Sequence, residues 1–311
     1  SMSKICILGS GITGLSVAYY LKKYHPTAEL IILEDLKSSG GVIASNEFGD
    51  CTVEWGPRGV RPKGNGQLVL EMVEDLGLWD ELVFADDKAK KRYLYHDNKL
   101  QILPHSLFSF LRSPYLGLIL KAFLKDLKAE KVEDDETIAE FVDRHFGEDL
   151  RRLFFDSMVS GIWAGDISKM SISATLPFLK KLEARKGSII KSMFGYKPAS
   201  VDAKAYPKEI TSKALFSFKN GVQTLVNKLK EEFSDSIVYE TNVKSINFEA
   251  SSLVCENGIS YHYDSLISTI PAYKLSAFVT DQMAKELNAI NYSPVGVLNF
   301  QFQKSQLNFD G

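Results

Sequence analysis

Glycines and one acidic residue near the start of the chain have the types and spacing that bind a dinucleotide. The six residues after the apolar run 5–8 are Gly9, Ser10, Gly11, Ile12, Thr13 and Gly14. Glu34 lies twenty positions after Gly14 and closes a second apolar run, residues 30–33. The glycines permit a tight turn, close approach of the backbone to a pyrophosphate, and close helix packing. Free amides at the helix start hold the pyrophosphate, and Glu34 accepts hydrogen bonds from a ribose. The pattern predicts a strand, turn, helix and strand around a nucleotide, and the alternative is an ordinary turn with Glu34 as a solvated strand end.

Two further glycine-rich segments indicate which nucleotide is bound. A Gly40-Gly41 pair shortly after the acidic residue is usual in FAD enzymes, where the backbone passes close to the diphosphate and the ribityl region, although the pair alone is equally typical of a flexible turn. In the segment 54–62, two glycines flank a Pro-Arg pair and fix a tight backbone path that presents amides toward a flavin. The cofactor contacts predicted in these segments are Asp35, Gly41, Val42, Gly56, Pro57, Arg58 and Gly59.

The run 56–62 resembles the same place in the protoporphyrinogen oxidases, a family within the flavin amine oxidases. Further segments resemble that family in the same order, so that the likeness extends from residue 5 to about residue 303. These segments are 92–95 with 103–104, 156–166, 220–225 and 264–272. The sequence departs from the family at Ser38 and Ser39, where an arginine often precedes the glycine pair. It also departs at Ser160, where some relatives have a basic residue.

The resemblance implies an α/β fold with a Rossmann-like FAD-binding domain of the glutathione-reductase and amine-oxidase type. The implied domains are an FAD-binding domain (1–86 and 209–275), an inserted helical domain on the membrane and substrate side (87–208), and the start of a mixed substrate-binding sheet (276–311). The implied reaction is the oxidation of protoporphyrinogen IX by dioxygen through FAD, in porphyrin biosynthesis. Val243 is expected to touch the adenine through its backbone.

Two substrate contacts are expected from the same resemblance. Arg92 is the candidate partner of a substrate propionate, because a guanidinium binds a carboxylate bidentately. Its alternative is an exposed member of the basic cluster 88–92. Gly161 would let the macrocycle lie close to the backbone, and its alternative is a helix end. The residues show no buried acid–base pair, so no catalytic residue is assigned, and the cofactor is expected to supply the chemistry.

Composition excludes several other classes of protein. The 311 residues are 45% hydrophobic with a formal net charge of −2, so the sequence lacks the excess of positive charge typical of a nucleic-acid-binding protein. The three widely spaced cysteines lack the spacing of a metal site and favour reduced thiols in a cytoplasm. The apolar stretch 107–127 is interrupted by charges and a proline, so it is expected to lie at a membrane interface or to pack on the protein rather than to span. A cytoplasmic protein, peripheral on the membrane and able to form a homodimer, is the resulting expectation.

The C-terminal part favours a longer parent protein. Residues 296–302 are predicted to form a strand, and full-length members of the family continue well past this point. We therefore expect an N-terminal piece of the enzyme, able to hold the ADP half of FAD. The alternatives are coproporphyrinogen III oxidation, another flavin amine oxidase or desaturase activity, and a catalytically inactive fragment.

Overall fold

The computed structural model describes residues 2–87, 91, 93–96, 98–102, 112–197 and 201–303. Its described residues form two compact units. The first unit comprises 2–87, 201–292 and 297–303, and the second comprises the described residues between 91 and 197 together with 293–296.

The strands of the described residues are short and are numbered in chain order. They are β1 (Lys4–Leu8), β2 (Glu29–Leu33), β3 (Ser45–Phe48), β4 (Cys51–Glu54), β5 (Leu82–Phe84), β6 (Tyr93–His96), β7 (Lys99–Ile102), β8 (Phe216–Phe218), β9 (Ile237–Val238), β10 (Val243–Asn247), β11 (Ser252–Cys255), β12 (Ser260–His262) and β13 (Ser265–Ser268).

The helices are numbered in the same way. They are α1 (Ile12–Tyr24), α2 (Gly66–Asp75), α3 (Leu116–Asp126), α4 (Ile138–His145), α5 (Glu148–Leu150), α6 (Asp156–Trp163), α7 (Ile172–Thr175), α8 (Pro177–Lys186), α9 (Ile189–Met193), α10 (Lys208–Thr211), α11 (Gln223–Glu232), α12 (Ala272–Leu275) and α13 (Asp281–Asn288).

A four-stranded parallel sheet forms the centre of the first unit, in the order β13-β1-β2-β9. Strand β1 is buried from Ile5 to Leu8 because a central parallel strand is covered on both faces. Its register with β2 places Ile7 opposite Ile32. Helix α1 connects these two strands and buries Leu15 and Ala18, so the predicted strand, helix and strand are confirmed. This architecture confirms the Rossmann-like fold.

Three antiparallel sheets also belong to the described part of the first unit. Strands β10, β11 and β12 form one of them, with a turn at Gly258 where φ is +83°. Strand β9 does not belong to it, because residues 237–238 pair with β2 in the parallel sheet. Strands β3 and β4 form a hairpin, and β5 pairs with β8.

The second unit is helical apart from the β6–β7 hairpin. A capping box starts α4, where the Thr137 hydroxyl accepts from the Glu140 amide over 3.2 Å and the Glu140 carboxylate accepts from the Thr137 amide over 2.9 Å. Ile138, Phe141 and Val142 from this helix enter the core of the unit. A chain turn at Gly147, where φ is +92°, follows the helix.

Buried polar side chains join three helices of this unit. The Asp126 carboxylate lies 2.6 Å from Nδ1 of His145, and Nε2 of His145 lies 3.3 Å from the Glu183 carboxylate. All three residues are at most 1% exposed. Asp126 also accepts from the Ser188 hydroxyl and from the Ile189 amide. These bonds fix the start of α9 against α3.

Residues 296–302 do not form the predicted strand. Within the described chain the segment from 289 to 303 has no strand, and the alternating apolar residues Leu298, Phe300 and Phe302 are exposed. A strand requires a neighbour for its backbone hydrogen bonds, and alternation of apolar residues does not supply one. In 276–303 the regular elements are a 3₁₀ turn, Ser276–Phe278, and helix α13, and the assignment of 276–311 to a substrate-binding sheet stays a prediction.

No helix in the described part of the chain combines the length and the apolar character that crossing a membrane requires.

Candidate functional site

The turn after β1 depends on two of the predicted glycines. Gly9 has a φ of +96°, and its amide donates to the carbonyl oxygen of Leu33 over 2.8 Å. A Cβ at Gly14 would overlap the carbonyl oxygen of Gly9. The tight turn and the close packing of the helix against it therefore both require glycine.

The second glycine of the fingerprint lies beside the Gly40-Gly41 pair. Gly11 forms a parallel bridge with Gly40, and the Gly40 amide donates to the carbonyl oxygen of Ser10 over 3.0 Å. A Cβ built on Gly41 would lie 3.4 Å from the Cα of Gly11. The two predicted cofactor segments are thus brought together at the start of α1. No side chain of the described residues caps this helix at Gly11, so its first amides are available to an anion.

Glu34 is 6% exposed, and the loop after β1 holds its carboxylate by hydrogen bonds. Its Oε2 accepts from the Ser10 amide over 2.8 Å and from the Ser10 hydroxyl over 2.6 Å. Its Oε1 accepts from the Leu36 amide over 3.0 Å. A carboxylate has about four lone-pair positions, so it retains capacity for a ligand hydroxyl. The ribose contact of Glu34 stays a prediction.

A cavity of about 460 Å³ opens at the carboxyl ends of β1 and β2. Gly9, Asp35 and Val243 line it, which brings three predicted contacts to one place. Lys274 lines the same cavity and forms a 3.0 Å ion pair with Asp35. A hydrogen bond shared with Glu34, together with the Lys274 ammonium, holds the pKa of Asp35 below its ordinary value. The polar wall of the cavity therefore carries a charged carboxylate beside the nucleotide turn.

Residues 56–59 follow a narrow path between two other backbone segments. A Cβ at Gly56 would overlap the carbonyl oxygen of Val42, and one at Gly59 would lie 2.8 Å from the carbonyl oxygen of Phe216. Val60 and Phe216 exchange backbone hydrogen bonds of 2.8 and 2.9 Å. The segment between them, Pro57 and Arg58 included, is thereby fixed at both ends beside Val42.

Three other predicted residues do not line this cavity. Ile12 and Thr13 are the first two residues of α1, so their amides belong to the uncapped helix start, and they also line a separate groove of about 560 Å³ along α1. Gly161 lies inside α6 of the second unit, three positions before Ala164 turns left-handed, and a Cβ on it would meet nothing within 4 Å. Arg92 lies outside the described residues. The substrate roles of Arg92 and Gly161 stay predictions.

Sequence reasoning missed several residues that shape the site. The Thr269 hydroxyl donates to the carbonyl oxygen of Leu8 over 2.7 Å and lies 3.3 Å from that of Gly9. It therefore holds the nucleotide turn from the end of β13. Lys274 lies five residues further on. Thr269 lies within the segment 264–272 that resembles the family, but no role was predicted for it, and Lys274 follows that segment. Both lie after the carboxyl end of β13, a strand beside β1, and this position was a signal that could have directed attention to them.

The arrangement fits FAD on three grounds. The start of α1 is uncapped within the described residues, a buried carboxylate closes β2, and backbone fills the Cβ positions of Gly14, Gly56 and Gly59. An open α/β sheet binds its ligands at the carboxyl ends of its strands, and both the start of α1 and Glu34 lie there, after β1 and β2.

Comparisons with known proteins agree with this geometry. Residues 12–308 match the family of flavin containing amine oxidoreductases. Protoporphyrinogen oxidase of Bos taurus is 29% identical over 99% of this chain and 68% of its own length. Coproporphyrinogen III oxidase of Bacillus subtilis is 29% identical over 93% of this chain and 63% of its own length. The crystal structure of a protein from Exiguobacterium sp. 255-15 shares the fold with a TM-score of 0.73 and 24% identity, covering 93% of this chain and 64% of that protein.

The chain thus spans about two thirds of the length of these relatives. The family match covers almost all of its residues, including both glycine-rich cofactor segments after Glu34. The chain belongs to the flavin-containing amine oxidoreductases, and its cofactor is the FAD of that class of oxidoreductase.

Proposed function

We propose that this chain provides the FAD-binding part of a porphyrinogen oxidase that converts protoporphyrinogen IX to protoporphyrin IX. The observation that carries the proposal is the match, over nearly the whole chain, to relatives named for porphyrinogen oxidation. The dinucleotide turn and Glu34 supply the cofactor site that such a reaction needs.

In this proposal the protein binds and orients, and FAD, when bound, accepts the hydrogen removed from the substrate. The amides at the start of α1 bind the diphosphate, and Glu34 orients the adenosine ribose. The close packing of Gly56 against Val42 leaves no room for side chains between these segments. Arg92 binds a substrate propionate, and dioxygen is the final electron acceptor.

Coproporphyrinogen III is the second candidate substrate, because the Bacillus subtilis relative matches with the same 29% identity as the bovine one. The segment 180–219 carries ten lysines and arginines against three acidic residues, and this net charge of +7 is compatible with a substrate that has more carboxylates. The structure weakens that argument, because half of its ten basic residues have partners within the chain. These are Lys180, Arg185, Lys191, Lys204 and Lys213.

The test is oxidation of each porphyrinogen by the purified protein supplied with FAD, followed by porphyrin fluorescence in air and under nitrogen. We expect FAD-dependent protoporphyrin formation in air and little under nitrogen. Faster oxidation of coproporphyrinogen III would favour the second candidate. Bound FAD without oxidation of either compound would reject a porphyrinogen substrate for this chain.

We also propose that the second unit makes peripheral contact with a membrane on its cytoplasmic side. Helix α3 supports this, since Leu120, Phe123 and Leu124 are exposed and Lys121 and Lys125 lie among them. Lysines near an apolar face suit an interface containing anionic lipids.

Sedimentation with vesicles containing phosphatidylglycerol tests the membrane contact, and Phe123→Ser should reduce the fraction of protein bound to the vesicles. Equal binding of both proteins would contradict the contact.

A further inference from the structure

The two glycine-rich cofactor segments flank a single hairpin, formed by β3 and β4. Residues 40–42 lead into β3, and residues 56–59 follow β4. Ser45 lies opposite Glu54 in this hairpin, and the Trp55 amide donates to the carbonyl oxygen of Ala44 over 2.9 Å. Whatever fixes this end of the hairpin therefore fixes both segments.

A carboxylate at that end is bonded to a helix distant in sequence. Oε1 of Glu54 accepts from the Val222 amide over 2.8 Å, and Oε2 accepts from the Ser45 hydroxyl over 2.6 Å. The Ser45 hydroxyl oxygen in turn accepts from the Gln223 amide over 3.0 Å. The pair thus satisfies two amides at the start of α11, which otherwise have no intrahelical partner.

The contact between the hairpin and the start of α11 requires a glycine in the turn before that helix. Gly221 has a φ of +86°, and a Cβ there would overlap Ser45 and lie 2.8 Å from Oε1 of Glu54. The segment 220–225 was recognised in the sequence only as a turn before a helix. Its glycine lets the hairpin approach the start of α11.

Helix α11 also contacts the first cofactor segment and the core. A Cβ on Gly40 would lie 3.4 Å from the Val226 side chain and 3.6 Å from the side-chain Nε2 of Gln223. Leu225 and Val226 share a buried cluster with Leu15 and Ala18 of α1. The same helix is therefore packed against the dinucleotide helix and bonded to the hairpin.

We infer that Glu54 and Ser45 are positioning residues for the flavin end of the cofactor: they hold residues 40–42 and 56–59 against the start of α11. They act through the backbone and do not form the diphosphate or ribose contacts. This inference rests on the proposed FAD site, and it predicts that loss of the pair weakens FAD binding far more than ADP binding.

The first test is amide hydrogen exchange of the protein without ligand, comparing wild type with Glu54→Ala and Ser45→Ala. The reporting amides are Gly40, Ile43, Trp55 and Val60, each of which donates a backbone bond of 2.9 or 3.0 Å. Their exchange should accelerate in both variants. Glu140→Ala is the matched control, since the Glu140 carboxylate also accepts a backbone amide over 2.9 Å but lies in the second unit. It should leave these four amides unchanged.

The second test compares the affinities of the same proteins for FAD and for ADP. Because a hydrogen bond to a charged group is lost, Glu54→Ala should weaken FAD binding by about tenfold and ADP binding by less than about twofold. Glu54→Gln keeps an acceptor for the Val222 amide and should restore most of the FAD affinity.

Equal weakening of FAD and ADP binding, or unchanged exchange at the four amides, would overturn the inference. If the wild-type protein bound neither nucleotide, the proposed cofactor site would fail. The exchange experiment would still decide whether Glu54 and Ser45 hold the hairpin.

Discussion

The Glu34 carboxylate at the end of β2 accepts the Ser10 amide over 2.8 Å in the loop that follows β1. This bond joins two neighbouring parallel strands at their carboxyl ends, where ligands of open α/β sheets bind. The same Oε2 accepts the Ser10 hydroxyl over 2.6 Å, so the acidic residue and the glycine turn form one hydrogen-bonded unit. The residue predicted to bind the ribose is thereby hydrogen-bonded to the loop that follows β1.

Replacement of Gly14 by alanine should destabilise the first unit. The added Cβ would overlap the Gly9 carbonyl oxygen, which belongs to the backbone and has little freedom to move. We expect a loss of about 3 kcal/mol in the free energy of unfolding, measured by urea denaturation. Gly117→Ala is the control, because a Cβ there meets nothing within 4 Å inside α3, and alanine should stabilise that helix slightly. Equal stability of the Gly14→Ala protein and the wild type would contradict the close packing of α1.

Replacement of Asp126 by asparagine should change the acid sensitivity of the second unit. Burial favours a higher pKa for Asp126, but hydrogen bonds from His145, Ser188, Ile190 and Ile189 outweigh it, so its pKa lies below the ordinary value. A lowered pKa in the folded state contributes stability above the unfolded value of about 4 and loses it as pH falls below that value. The wild type should therefore unfold more easily below about pH 4.

Asp126→Asn should cost about 3 kcal/mol at pH 7, because it leaves buried partners of a charge unpaired. Its stability should then vary less with pH below about pH 4 than that of the wild type. Thermal unfolding between pH 3 and pH 7 measures both effects. The control Asp149→Asn removes an exposed carboxylate that pairs with Lys121 over 3.4 Å, and it should alter stability by less than about 0.5 kcal/mol. The same acid dependence in Asp126→Asn and wild type would refute the role of Asp126.

The three cysteines should differ in reactivity. Burial, with a smaller contribution from Cys255, raises the pKa of Cys6 to about 12, and burial also raises the pKa of Cys255. Cys51 is exposed. Because the thiolate is the reactive form, a thiol reagent such as DTNB should modify one cysteine rapidly and the other two only after denaturation. Cys51→Ser should abolish the rapid phase, and a remaining rapid phase would contradict the burial of Cys6 and Cys255.

Local patterns made the nucleotide turn and the helix starts predictable from the sequence. Gly9 and Gly14 are required by the backbone geometry of their own turn, and Thr137 with Glu140 forms a capping box within four residues. Bonds between distant residues left no such signal. Glu54 and Val222 are 168 positions apart, so neither residue type reveals the other. The same holds for the buried contact between Asp126 and His145.

The incorrect strand at 296–302 has a related cause. Alternating apolar residues describe one face of a strand but do not provide the neighbour that would pair with it. In the described chain Leu298 and Phe300 are exposed and unpaired with any strand. Pattern reasoning was therefore reliable where a segment determines its own conformation, and unreliable where another segment must complete it.

The most direct test of the central claim is titration of the purified protein with FAD, with ADP as competitor. Wild type should bind one FAD per chain, displaced by ADP, and Glu34→Ala should bind it at least about tenfold more weakly. Glu29→Ala provides the matched control, because Glu29 lies at the opposite end of β2 in an exposed 3.9 Å ion pair with Lys4. The Glu29→Ala protein should bind FAD with the same affinity as the wild type. Failure of the wild type to bind either nucleotide, or equal affinity in Glu34→Ala, would contradict a cofactor site built on Ser10 and Glu34.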